Sequence, residues 1–309
     1  MNWVAKTGAT SHAPARYVTG ALYGLAAVSI WAGWSAFTRL AVTTKLDAWD
    51  ITALRFGVAA VVLAPLLVRR GLATDRLGRR GLLLLVAGGG APYVMLAAGG
   101  LRYAPAHDQA ALNPGFAPLF VALIATVFLG EAVERTRRVG LALILAAALL
   151  IVFGQGAAWT GTRTLGHALF LSAALLWACF TVVMRHADIA PLHATALVSV
   201  GSALVFLPVY LAVHGMRLLQ LPVGELAWHA VFQGIVVTIL SLLFYGRAVA
   251  RLGAAKGAAF GALVPALSAL LAIPLLGEWP QISGWIAIVL VSIGVYLASG
   301  GPLPRGENR

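Results

Sequence analysis

In SIWAGWSAFTRLA (29–41), Trp31, Trp34, Ser35 and Thr38 stand at i, i+3, i+4 and i+7. That spacing puts two indoles and two hydroxyls on one helical face. Gln109, Asn113 and Phe116 in HDQAALNPGF (107–116) share another face, and Pro114 leaves a backbone carbonyl without its helical donor. Tyr93 follows GGGAP (88–92), where glycines and a proline loosen the chain. Trp177 and Thr181 pair on a fourth segment, and Thr238, Ser241 and Tyr245 form a stripe on a fifth. Aromatic faces, amides and hydroxyls can hold a small amphiphilic solute without making or breaking a bond. Bond chemistry needs a nucleophile beside a base, or a metal cluster. The sequence has no HExxH, no acidic pair inside an apolar run, and histidines 12, 107, 167, 186, 193, 214 and 229 scattered near segment ends. It is not read as an enzyme, and no metal or cofactor is expected.

Each of these residues has a structural alternative. Tryptophans near helix ends anchor at the lipid–water interface, the expected role of Trp3, Trp49, Trp159, Trp228 and Trp279. Trp31, Trp34 and Tyr93 fall deeper. Thr238 and Ser241 can instead bond the carbonyl one turn back. Asn113 is a deep amide that needs a partner or water.

The elements that position these residues follow from composition. The chain of 309 residues is 61% hydrophobic and 10% charged, against roughly 25% charged in soluble domains. Lipid is the solvent this implies. Apolar runs near 18–38, 50–68, 81–101, 106–129, 137–154, 166–184, 193–213, 227–249, 256–276 and 283–299 give ten expected transmembrane helices, an all-α integral membrane protein. The net charge of +12 sits in short loops such as RRGLATDRLGRR (69–80) and ERTRR (134–138). It reads as anchoring on anionic lipid and gives no ground for a nucleic-acid partner. Met1–Arg16 is polar and the first apolar run is long enough to span, so a cleavable signal peptide is not expected. The lone Cys179 lies mid-span and carries no intrachain disulfide.

PLFVALIATVFLGE (118–131) and PALSALLAIPLLGE (265–278) agree at half of their fourteen positions with a constant shift of 147. ALYGLAAVSIWAGWSAFTRLA (21–41) likewise overlies HALFLSAALLWACFTVVMRHA (167–187), pairing Trp31 with Trp177 and Arg39 with Arg185. Two five-helix repeats are expected, 20–154 and 166–299, joined by GQGAAWTGTRT (154–164). Five is odd, so the second repeat enters the membrane from the opposite side and the two are inverted. With ten alternating helices, sixteen of the 22 Lys and Arg fall on the side of the termini, which puts both termini in the cytoplasm. At the same shift Ala106, Ala110, Pro114 and Pro118 match Gly253, Gly257, Gly261 and Pro265, so the fourth and ninth helices are expected to be close-packed posts. Arg39, Arg55, Glu131, Arg185, Arg247 and Glu278 are expected to snorkel from helix ends, and His107 and Asp108 to be solvated.

Two five-helix units, each closing on LGE, together with the tryptophan segments and LRYAPAHDQAAL (101–112), resemble the EamA-type transporters of the drug/metabolite transporter superfamily. The run 88–120 is similar to the bacterial aromatic amino acid exporters called YddG. The resemblance implies a multi-pass protein of the bacterial inner membrane that exports aromatic and other neutral amino acids through a cavity between the repeats. The implied substrate-binding residues are Trp31, Trp34, Ser35, Tyr93, Gln109, Asn113, Trp177, Ser241 and Tyr245. No acidic residue sits at mid-membrane, which favours facilitated diffusion over ion coupling. Proton coupling through the HDQ residues stays open, as does export of drugs, nucleosides or flat cations held by cation–π contact. Oligomeric state is not fixed by the sequence, and a monomer is compatible with it.

Overall fold

In a computed structural model, residues 12–154 and 161–300 are described. Trp3, Trp159, most of the 154–164 linker and the extreme termini lie outside the described residues. The protein is all-α and multi-pass. Eight helical spans are long and apolar enough to cross a bilayer, and two shorter apolar helices follow. We label them α1 (His12–Thr44), α2 (Ala48–Arg70), α3 (Thr74–Gly100), α4 (Ala106–Phe128), α5 (Arg135–Phe153), α6 (Thr162–His186), α7 (Pro191–His214), α8 (Val223–Leu252), α9 (Phe260–Leu276) and α10 (Ile282–Ala298).

Local sequence sets the ends and breaks of these helices. Asp47 caps α2, its carboxylate accepting from the N–H groups of Trp49 and Asp50 while Asp50 reaches back to the Asp47 N–H. Gly130 and Gly277, the glycines of the paired LGE phrases, close α4 and α9 in the left-handed conformation with φ of 65° and 67°. α3 breaks at Gly90, where the Ser202 hydroxyl of α7 accepts from the freed Ala91 N–H at 3.0 Å. α4 breaks over 113–116, as Pro114 requires, and resumes at Ala117. In α8 residues Val231–Leu240 are wound as a π-helix, a form that recurs at functional sites.

The long-range contacts cross between the two halves of the chain. α1 packs on α8 and α9, α6 on α3 and α4, and α2 on α7, α4 on α9 and α5 on α10. Exchanging each helix with the one five places on leaves that pattern unchanged. The closest backbone approaches are not on the stripe 253–261. A Cβ on Gly140 would lie 2.6 Å from the Gly294 carbonyl oxygen, and one on Gly88 would lie 2.6 Å from that of Leu176. Gly253 is instead a bend with φ of 87°, Gly257 faces Val249 within its own hairpin, and Gly261 has Val295 only at 4.0 Å. The ninth helix is thus a bent element before Phe260 rather than a uniform small-residue post.

Candidate functional site

The α1 face carries the site across the halves. The Trp31 indole N–H donates to Ser241 Oγ at 3.1 Å, and its ring lies 5.3 Å from that of Tyr245, both on α8. One turn on, Ser35 donates to Gln109 Oε1 of α4 at 2.6 Å. One turn along α4, Asn113 Nδ2 donates to the Tyr93 hydroxyl at 3.3 Å, and the Tyr93 ring lies 5.1 Å from Trp177 of α6. Eight of the nine residues singled out from the sequence thus form one ribbon from α8 through α1, α4 and α3 to α6, and the ninth, Trp34, turns to Gln233 of α8 instead. Trp31, Tyr93, Trp177 and Tyr245 are partly exposed, while Trp34, Ser35, Gln109, Asn113 and Ser241 are buried.

The backbone breaks aim these groups. The Gly90 break precedes Tyr93 by less than one turn, and Asn113 stands where α4 opens. Asn113 Oδ1 is buried and has no partner within the protein. Such an acceptor costs about 1–3 kcal/mol unless something donates to it. Ser241 also donates to the Val237 carbonyl and Thr238 to that of Gln233, the local bonds that compete with solute binding.

Two residues of this region were not singled out. Gln233, on the π-helical stretch of α8, accepts from the Trp34 indole N–H at 2.9 Å and donates to Thr38 at 3.1 Å. Its signal was an amide inside the apolar run VFQGIVV. Arg55 was expected to snorkel from an end. Instead its guanidinium carbon lies 5.8 Å from the Trp34 ring and 5.9 Å from Phe56, and its Nε is enclosed without a partner. It stands seven residues into α2, about 10 Å from the helix start.

The remaining charges divide between the two ends of the molecule. At one end Arg39 pairs with Glu278 at 2.7 Å and also donates to the Leu101 carbonyl, while Glu278 accepts from the Ala106 N–H at 3.0 Å. Beside it Asp108, 1% exposed, holds Arg163 at 2.7 Å and His167 at 2.8 Å, with His107 at 3.4 Å. The expected solvated position of His107 and Asp108 is corrected: both are buried, because α6 closes over them. Arg39 and Glu278 also do more than snorkel, since each is under 20% exposed and they lock α1 to the end of α9. At the other end Arg185 and Glu131, the repeat counterparts of Arg39 and Glu278, pair at 2.6 Å with 48% and 42% exposure. Open clefts of about 410 and 270 Å³ lie at the Arg39 end, the first around Lys45, Arg102 and Arg217 and the second around His107, Arg163 and Glu278. Both are open and polar, and neither is lined by Trp34 or Tyr93; aromatic surface and unpartnered polar atoms coincide instead at the rings, which makes them the candidate site. Among the described residues no group of His, Cys, Asp and Glu could hold a metal.

Comparison with known proteins points to membrane transporters. A "probable terminal-alkyne amino-acid exporter" of Streptantibioticus cattleyicolor is 32% identical over 293 residues, covering 90% of this chain and 92% of its own. The "uncharacterized transporter YyaM" of Bacillus subtilis is 27% identical over 256 residues, 80% and 82% of the two chains. A solved structure described only as the crystal structure of a protein matches with a TM-score of 0.60 at 20% identity, over 91% of this chain and 97% of the other, a likeness of fold alone. The EamA-like transporter family matches twice, at residues 18–153 and 164–300. Apolar helices long enough to span a bilayer and this double match together make the chain a multi-pass membrane transporter, not an enzyme, and a member of the EamA-like transporter family of the drug/metabolite transporter superfamily.

Proposed function

We propose that the protein exports aromatic and other neutral amino acids across the bacterial inner membrane by alternating access between two inverted five-helix repeats, 20–154 and 166–299. The observation that carries the amino-acid reading is the Tyr93–Trp177 ring pair beside Asn113, whose amide oxygen is buried and unpartnered. Rings take an apolar or aromatic side chain, and the free acceptor takes an ammonium group. The printed description of the Streptantibioticus relative, an amino-acid exporter, supports the same class.

The inverted ten-helix plan is supported by the exchange symmetry of the helix contacts and by the two Arg–Glu pairs at equivalent positions. On this plan the Arg39 end faces outward, both termini are cytoplasmic, and the substrate path is closed outward by a buried ionic network and inward by one exposed pair. Transport is read as facilitated diffusion. Among the described residues the two buried carboxylates, Asp50 and Asp108, are already engaged, the first by Tyr210 at 2.6 Å and the second by Arg163 and His167. Export of flat organic cations is disfavoured by Arg55, a like charge over the Trp34 ring. Counterflow of labelled phenylalanine in proteoliposomes, competed by unlabelled amino acids and by flat cations, tests the reading. Competition by amino acids is expected; competition by cations alone would overturn it.

A further inference from the structure

Arg55 is a cation inside the span of α2, and no hydrogen bond or ion pair of a described residue engages it. An unpaired charge at this depth is costly and marks function more often than packing. Its nearest carboxylate along the helix, Asp50, lies five residues back and therefore on a different face. Asp50 is also committed, to the Tyr210 hydroxyl at 2.6 Å and to Arg217 at 3.5 Å. The rings of Trp34 and Phe56 stand at 5.8 and 5.9 Å, close to the limit of about 6 Å for a cation–π contact, so they do not replace a counter-ion.

Tyr93 joins this cation to the unpartnered acceptor. Its hydroxyl accepts from Asn113, and the half of α3 that carries it packs directly on α2, the helix of Arg55. A donor-only cation and a bare amide oxygen thus sit on adjoining helices, the first beside the Trp34 ring and the second beside the Tyr93–Trp177 pair. A guanidinium forks onto a carboxylate, and an amide oxygen accepts from an ammonium. These two groups together are complementary to a zwitterion.

Resting on the amino-acid reading above, we propose that Arg55 is the anchor for the substrate carboxylate, with Asn113 Oδ1 receiving the substrate ammonium. Side-chain selectivity then belongs to the rings, and recognition common to all transported amino acids belongs to Arg55 and Asn113.

Titrations of purified full-length protein, followed by indole fluorescence, separate these roles. The probes are phenylalanine, phenylalaninamide (which lacks the carboxylate charge) and a flat organic cation. Wild type should bind phenylalanine about tenfold or more tightly than the amide, the scale of one charge-assisted pair. Arg55→Gln should lose that factor for phenylalanine and should not weaken binding of the protonated amide, from which it removes a like charge. Arg55→Lys, which keeps the charge without the fork, should fall between, and serves as the deciding variant if the glutamine variant does not fold. Equal losses for both ligands, or a variant that keeps the full preference, would overturn the anchor while leaving the amino-acid reading intact. Wild type that binds the cation and neither phenylalanine nor its amide would overturn the amino-acid reading itself.

Discussion

Asn113 and Tyr93 illustrate how a polar group in lipid acquires meaning from what it lacks. The Asn113 amide has one donor committed to Tyr93 and an oxygen with no partner in the protein, while Tyr93 and Trp177 present adjoining faces. Removing the Trp177 ring removes surface without altering the polar anchors, whereas removing Tyr93 also frees the Asn113 amide N–H. Trp177→Ala should therefore raise the phenylalanine KM about threefold to tenfold, the scale of a lost aromatic contact of roughly 0.5–1.5 kcal/mol. Threonine flux in the same liposomes should change less, because a small side chain never fills that surface. Equal losses for both solutes would assign the rings to gating or folding. Trp34 behaves differently: its indole N–H is held by Gln233 and its ring is 5% exposed. Trp34→Ala should lower both fluxes and also the melting temperature, since it opens a cavity in the interface of α1 with α8.

Between elements, the chemistry of approach is decided by glycines whose missing Cβ is filled by a neighbour's backbone. Gly140 of α5 and Gly294 of α10 face one another, and an added methyl on either would meet carbonyl oxygen or amide nitrogen at 2.6–2.8 Å. Backbone cannot swing aside as a side chain can. Gly140→Ala and Gly294→Ala should each destabilise the detergent-solubilised protein by about 1–3 kcal/mol, as overpacking does, read as a lower thermal midpoint. Gly261→Ala should be near neutral, because only Val295 comes within 4.0 Å of the added methyl. A neutral Gly140→Ala would mean that α5 and α10 separate in the membrane.

Across the whole molecule, the paired arginines and glutamates form cross-links between halves that differ in depth. Glu278 is shared by Arg39 and the Ala106 N–H in a partly closed site, whereas Glu131 and Arg185 meet in the open. In a double-mutant cycle on thermal stability, Arg39 and Glu278 should couple by about 1.5–3 kcal/mol, the range for bonds to charged groups. Arg185 and Glu131 should couple by less than about 1 kcal/mol, as exposed pairs do. Similar coupling at both ends would contradict the view that one end is sealed. Reporter fusions at Gly161 and at Arg309 test the inverted plan: an external Gly161 with a cytoplasmic Arg309 is expected, and the same compartment for both would refute it.

Composition and the duplicated LGE phrase determined much of this protein without coordinates. A chain with 10% charge must put its apolar length in lipid, and a repeat shift of 147 residues sets up the expectation of two matching halves. Helical spacing likewise put Trp31, Ser35, Gln109 and Asn113 on faces that the fold then joins, because i, i+4 neighbours stay neighbours in any straight helix. Tertiary structure decided what spacing cannot express. Asp108 looked solvated from its place at a helix start, and is buried because α6 brings Arg163 and His167 onto it. The stripe 253–261 looked like a packing post, but Gly253 bends the chain there. Arg55 looked like a snorkelling end residue, and becomes the unpaired cation beside Trp34 because α1 and α2 both pack on the π-helical stretch of α8. In each case the missing information was the partner. Burial and charge compensation are set by residues far away in sequence, and only the assembled helices say which ones arrive.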